Sequence, residues 1–203
     1  MKLYITPGAC SMSTHIAVTE LGLDVEIVRV DLTTHKTESG EDYYEINSRG
    51  YVPMLAIDEA GSLTEASAIL QYLADLKPEQ GMIPEAGTFE RNKMQELLTF
   101  ISTELHKGIG AFFVPDIFTE GGKGGVIARL QTRFAYLETL LGDGEFIFGD
   151  TFTVADAYLF TVMNWRHHFN IDISEHAKLS TYLDRLASRE SIQKTMKEEG
   201  LIS

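Results

Sequence analysis

Apolar residues recur along this chain in two rhythms, and the change between them divides it. In the first part, short apolar runs alternate with helical spacing. Lys2 to Ile5 predicts a strand broken by Pro7-Gly8, and a helix follows from about Ser11, with Ile16, Ala17, Val18 and Leu21 apolar and Gly22 as its stop. The β-branched run Val25 to Val30 predicts a second strand, Thr33 to Gly40 a polar loop, and Asp42 to Ile46 a short helix. Met54 to Ile57, the turn residues Asp58 to Gly61 and Ser62 to Thr64 read as a hairpin. From Ala66 the apolar positions Ile69, Leu70, Leu73 and Leu76 return to helical spacing. The order βαβαββα implies an α/β layer with a right-handed first crossover.

After that only the helical rhythm remains. Lys77 to Gly87 carries two prolines and two glycines, so the expected division is a domain at 1–80, a linker at 81–87 and an all-helical domain at 88–203. Phe89 to about Ile109 predicts a helix with Leu97, Leu98, Ile101 and Leu105 on one face, weakened by Gly108 and Gly110 and ended by Pro115. The run Gly121 to Gly125 reads as a flexible loop, and not a phosphate-binding one, because no strand and no Gly-Lys-Ser/Thr accompany it. Further helices are expected over 126–141, 153–168, 179–187 and 191–198. Thr153 and Asp156 have the spacing of a capping box, which favours a structural over a catalytic role for Asp156.

Composition narrows the partners. The 203 residues carry a net charge of −13, with 44 % hydrophobic and 23 % charged residues, as in a globular protein that buries its own core. That charge argues against nucleic acid and anionic membrane as partners, and it requires any anionic ligand to be held by local donors. A single cysteine rules out an intrachain disulfide and fits a cytoplasmic location; no signal peptide or membrane-spanning run is expected.

Several positions have chemistry to offer. Pro53 opens a strand, and Glu65-Ala66-Ser67 opens a helix whose free amides suit a carboxylate or phosphate, although an ordinary hairpin–helix unit explains the same pattern. Cys10 lies between a strand and a helix N-terminus, where thiolate is favoured; the alternative is a buried, inert thiol. Cys10-Ser-Met-Ser13 looks like a Cys-x-x-Cys motif that has lost its second thiol, so exchange would need an external thiol. Thr99, Thr103 and His106 share a face at α-helical spacing, either a site wall or subunit contact or a solvated surface. Phe112, Phe113 and Trp165 suit an apolar pocket or simply the core. His167 and His168 are adjacent and point apart, and no metal is expected.

Taken in order, Pro7-Gly-Ala-Cys-Ser11, Tyr51-Val-Pro53, Leu63-Thr-Glu-Ala-Ser-Ala-Ile-Leu-Gln-Tyr-Leu73, Glu104-Leu-His-Lys107 and Thr153-Val-Ala-Asp-Ala-Tyr-Leu-Phe160 resemble the glutathione transferases, and the cysteine resembles their bacterial beta class. The resemblance implies a thioredoxin-like N-terminal domain followed by a C-terminal helical bundle, a homodimer, and transfer of glutathione, the co-substrate, to a small-molecule electrophile. It also implies a cis-proline at Pro53, backbone pairing of Val52 with the cysteinyl unit, and Glu65 and Ala66 at the γ-glutamyl end. Cys10 would face the sulfur with His106 nearby, in a site that also includes Lys107. Thr99, Thr103 and Glu104 would reach glutathione bound in the partner subunit. His35 stands where lysine is frequent, so its charge on the glycyl carboxylate would follow pH. Thr99 stands where asparagine is common, and Ile5 where many members carry tyrosine. The remaining alternatives are a glutaredoxin-like disulfide or peroxide reductase using Cys10, and a non-catalytic ligand carrier.

Overall fold

The computed structural model describes residues 1–119 and 121–203, which fall into two compact units. The first comprises Met1–Gln80 together with Arg189–Ser203. Its strands are β1 (Lys2–Ile5), β2 (Glu26–Asp31), β3 (Lys36–Thr37), β4 (Met54–Ile57) and β5 (Gly61–Thr64), arranged in the order β3-β2-β1-β4-β5. β1 and β2 run parallel, joined by α1 (Met12–Leu21), while β4 is antiparallel to both β1 and β5. Strand alternation sorts the two faces. Leu3 and Leu55 are fully buried, whereas Tyr4, Val28, Val30 and Met54 form a second cluster with Tyr43 and Val52. Tyr43 sits in α2 (Tyr43–Ile46), and α3 (Ala66–Asp75) packs on α1.

Two differences from the sequence expectation arise here. The loop 33–40 contains the short strand β3, because Val30 and Asp31 pair with Thr37 and Lys36. The C-terminal segment groups with the first unit, not with the helical one. Its helix α10 is Glu190–Glu198 by residue range and packs on α1, and Arg189 grips Glu20 through Nε at 2.9 Å. Polar partners on α1, invisible to apolar spacing, decide that placement.

The second unit, Gly81–Ser188, is helical. It contains α4 (Phe89–Phe100), a π-helix at Ile101–His106, α5 (Lys107–Gly110), α6 (Gly122–Leu141), α7 (Val154–Asn164), α8 (Arg166–Phe169) and α9 (Ala177–Ala187). Every residue of α7 from Val154 to Met163 is buried. Residues 81–87 are tied down: Met82 and Ile83 are buried, and the Met82 carbonyl accepts from the Val154 amide at 3.0 Å. The glycine run expected as a loop is helical from Gly122, preceded by Gly121 at φ 82°. Each glycine weakens a helix by about 1 kcal/mol, and the apolar stripe Leu130, Phe134, Leu137 and Leu141 offsets this further along α6.

Thr153 and Asp156 form the expected capping box. Asp156 is buried and accepts four hydrogen bonds, from the Ile147 amide (2.9 Å), the Thr153 amide (2.8 Å), the Thr153 hydroxyl (2.7 Å) and the Tyr182 hydroxyl (2.7 Å). Burial pushes its carboxyl above the ordinary range, and these donors oppose the rise. Among the described residues no helix is long and apolar enough to cross a membrane.

Candidate active site

In the first unit the site grows from the loop between β1 and α1. Ser11 pins that loop by accepting from the Thr6 amide (3.1 Å) and donating to the Thr6 carbonyl (3.2 Å). Cys10 is half-buried, and its thiol donates to the Val52 carbonyl at 3.2 Å. Two residues before the cysteine, the Gly8 amide donates to Glu199 Oε2 at 2.7 Å. Glu199 Oε1 in turn lies 3.0 Å from His15 Nδ1, and His15 Nε2 lies 3.1 Å from Glu198. The chain's C-terminal end therefore clamps the cysteine loop.

The Val52–Pro53 peptide is cis, as the resemblance implies. The segment before it is braced at the Tyr51 carbonyl, which accepts from Asn47 Nδ2 (2.8 Å) and the Tyr43 hydroxyl (2.9 Å). Gly50, at φ 66°, has no alternative, since a Cβ there would lie 2.6 Å from the Tyr44 ring and 3.0 Å from His35 Nδ1. His35 stacks on Tyr44 with ring centroids 4.4 Å apart, and its Nδ1 is buried without a hydrogen-bond partner among the described residues.

Hairpin register completes this half. Met54 pairs with Thr64, so the flanking residues Pro53 and Glu65 come side by side at one end of the β4–β5 ladder. Glu65 adopts φ 71°, unusual for a side-chain-bearing residue, and its carbonyl accepts from the Ala68 and Ile69 amides. The Ala66 and Ser67 amides thus begin α3 with no partner among the described residues, facing the positive end of its dipole. The Glu65 carboxylate is exposed, 3.4 Å from Arg49.

The second unit carries the other expected residues. His106 ends the π-helix, an element frequent at functional sites. Its Nδ1 lies 2.7 Å from the Tyr158 hydroxyl, and its ring meets Trp165 edge-on at 5.0 Å. Burial first, and then the positive charge of Lys107, pull its pKa down to about 4, so at neutral pH it is an uncharged donor or acceptor. A stability consequence follows. The unfolded chain binds this proton near pH ~6.5 and the folded chain only near 4, so stability falls as pH drops through that interval. Urea midpoints measured from pH 7 down to 4.5 are expected to decline less in His106→Asn than in the parent; equal slopes would contradict it.

Glu104 does not stand free. It accepts from Arg129 Nη2 at 2.8 Å and from Arg133 Nε at 2.8 Å, which hold its carboxyl below the usual range. Thr99 and Thr103 are exposed but donate their hydroxyl protons to the Gln95 (2.7 Å) and Thr99 (2.9 Å) carbonyls of their own helix. Lys107 is exposed. Phe112 and Trp165 are buried and Phe113 is half-exposed. They join a wider aromatic group in which Phe113 meets Trp165 at 5.4 Å and Phe169 at 4.7 Å, and Phe112 meets Phe118 at 5.0 Å. No cluster of metal-ligating side chains occurs among the described residues.

Residues 1–75 match the model of the glutathione S-transferase N-terminal domain, and residues 122–199 match a glutathione S-transferase C-terminal domain. The chain belongs to the glutathione S-transferase family. It is 40 % identical to glutathione S-transferase GstA of Escherichia coli O157:H7 over 201 residues, covering 99 % of this chain and 100 % of that one. A bacterial beta-class glutathione S-transferase from Sphingomonas chungbukensis superposes with a TM-score of 0.92 at 40 % identity over 100 % of both chains. A sphingomonad glutathione S-transferase solved in complex with glutathione superposes at 0.90, with 37 % identity and 100 % of both chains covered. The fold is that of the family, a thioredoxin-like mixed α/β domain followed by a helical domain.

Within this family member, sequence reasoning missed His15 and Glu199, Tyr158, Arg129 and Arg133, and the aromatic residues Phe118 and Phe169. Tyr158 lay inside a quoted motif, two residues after Asp156, where a hydroxyl on an otherwise apolar helix was a usable signal. Glu199 had none, because its partners are 184 and 191 positions away.

Proposed function

We propose that the chain conjugates the thiolate of glutathione to electrophilic carbon in small hydrophobic substrates. The observation that supports this most is the first-unit half-site, in which the hairpin brings Pro53 beside Glu65, with the Cys10 thiol on the Val52 carbonyl. An extended tripeptide adds to the Val52 backbone as an extra strand, and its γ-glutamyl carboxylate rests on the Ala66 and Ser67 amides while Glu65 takes the amino group. The His35 ring, aimed by its stack on Tyr44, receives the glycyl end. Such local donors suit a chain whose net charge of −13 repels anions at long range.

The sulfur is held as thiolate close to Cys10 and the N-terminal end of α1. It attacks the electrophilic carbon, a carbon–sulfur bond forms, and the leaving group departs with its electron pair. The aromatic group of Phe112, Phe113 and Trp165 binds the apolar body of that substrate. The active species is a homodimer in the cytoplasm, in which Thr99, Thr103 and Glu104 reach the partner's glutathione, Glu104 being aimed by Arg129 and Arg133.

A second reading rests on the half-buried Cys10, which is in no disulfide and can form a mixed disulfide with glutathione and reduce disulfides or peroxides. Cys10→Ser separates the two. Conjugation of a chloronitrobenzene is expected to keep its kcat within roughly threefold, while disulfide reduction falls to background. Loss of both activities makes Cys10 essential to conjugation itself. Absence of turnover and of retention on immobilised glutathione in the parent protein sinks both and leaves a ligand carrier.

A further inference from the structure

We propose that Tyr43 and Asn47 are positioning residues for glutathione, holding the Tyr51 carbonyl so that the Val52 amide of the same peptide unit faces the bound tripeptide. The point rests on the function proposed above. Tyr51 offers little grip through its side chain, which is 72 % exposed. Its carbonyl is the anchor, accepting from Asn47 Nδ2 at 2.8 Å and from the Tyr43 hydroxyl at 2.9 Å. A carbonyl oxygen has two lone pairs, so this one is saturated and held from two directions. Both donors are buried, Tyr43 at 0 % and Asn47 at 7 % exposure, which leaves water little access to replace them. Burial also pushes the Tyr43 phenol up, which keeps the proton on its oxygen.

Pinning that carbonyl aims a second group. The Tyr51–Val52 peptide is planar and trans, so its N–H points opposite to its C=O. With the oxygen turned towards α2, the Val52 N–H is turned away from it. No hydrogen bond among the described residues engages that N–H, because the β4 ladder begins only at Met54. An unpaired backbone donor, next to the carbonyl that takes the Cys10 thiol, fits a peptide carbonyl, here that of the cysteinyl unit. The same short helix also holds the residue expected at the glycyl end. The Tyr43 amide donates to the His35 carbonyl at 2.8 Å, and the Tyr44 ring stacks on the His35 ring. α2 starts at its Asp42 cap, which accepts from the Tyr44 amide at 2.9 Å. One short element therefore sets two contacts with one ligand before it arrives, which lowers the ordering cost of binding.

The test measures binding of S-methylglutathione, which has no free thiol to react, to the full-length protein. Tyr43→Phe keeps the ring and deletes the hydroxyl, and Asn47→Ala deletes the amide. Each is expected to raise Kd roughly threefold, since the other donor still holds the carbonyl. The double variant is expected to raise it roughly thirtyfold, beyond the product of the single effects, because nothing then fixes the peptide plane. In Tyr43→Phe, KM for glutathione is expected to rise by about the same factor as Kd, with kcat within about twofold. γ-Glutamylcysteine, which lacks the glycyl unit, is expected to weaken as much as the tripeptide in these variants and not at all in His35→Ala. Without ligand, the Val52 amide NMR signal, single in the parent, is expected to broaden or double in the double variant. An unchanged KM in Tyr43→Phe overturns the proposal even where the double variant does not fold. Single effects that merely multiply, or an unaltered Val52 signal, also overturn it. A parent protein that binds neither glutathione nor its S-methyl derivative overturns instead the function on which the proposal rests.

Discussion

Asp156→Ala is expected to destabilise the helical unit by about 3–5 kcal/mol, because it strands several buried donors at once. The carboxylate accepts from the Ile147 and Thr153 amides and from the Thr153 and Tyr182 hydroxyls, all between 2.7 and 2.9 Å. Thr153 is 3 % and Tyr182 1 % exposed, so water cannot replace the lost acceptor there. The cap alone contributes ~1 kcal/mol, and the remainder comes from unpaired donors. Asp156→Asn is the informative companion. Each carboxylate oxygen accepts from one backbone amide and one hydroxyl, so an amide group placed on either side confronts an N–H that cannot turn away. Asparagine is therefore expected to lose more than about 2 kcal/mol despite its matching shape. Urea unfolding measures both; an asparagine variant as stable as the parent would show that volume, not hydrogen bonding, is what the position supplies.

Glu199→Ala is expected to cost about 2–4 kcal/mol and to reach Cys10 chemistry as well as stability. Its side chain is wholly buried, at 0 % exposure, and it serves the Gly8 amide with one oxygen and His15 with the other. Removing it takes a buried acceptor from the Gly8 amide and from His15 Nδ1, while His15 keeps Glu198 at Nε2. Glu199→Gln retains an oxygen for Gly8 and should recover roughly half of the loss. Glu198, 46 % exposed and paired with the outer His15 nitrogen and with Lys194, should cost under about 1 kcal/mol when replaced by alanine. Cys10 alkylation by iodoacetamide, followed in the folded protein, is expected to change severalfold in Glu199→Ala and to stay near the parent rate in Glu198→Ala. Equal effects from the two neighbours would refute the clamp.

Local pattern carried a good deal of this fold. Short apolar runs located β1, β2 and the β4–β5 hairpin, and the Thr153–Asp156 spacing announced the start of α7 correctly. The glycine run at 121–125 misled, because low intrinsic propensity was outweighed by the apolar stripe further along α6. The site was legible where it depends on backbone punctuation, as at Val52–Pro53 and at the opening of α3. It was illegible where it depends on polar partners far apart in sequence. No periodicity could join Glu199 to Gly8, or Arg129 and Arg133 to Glu104. Nor does α-helical spacing describe Thr99, Thr103 and His106, because the helix widens between Ile101 and His106.

That wide turn makes the second unit sensitive to length in a way that point substitutions do not expose. A π-turn accommodates one residue more than the ideal helix, and each residue advances the helix by about 100°. Deleting a single residue from Ile101–His106 would let the backbone relax into an ordinary α-helix with its two flanks still in register. With both flanks held in place, only the positions inside the turn, His106 among them, would present a different sector. Gain or loss of one codon here is thus a route by which such a protein can exchange the side chain shown to its ligand while leaving its core composition untouched.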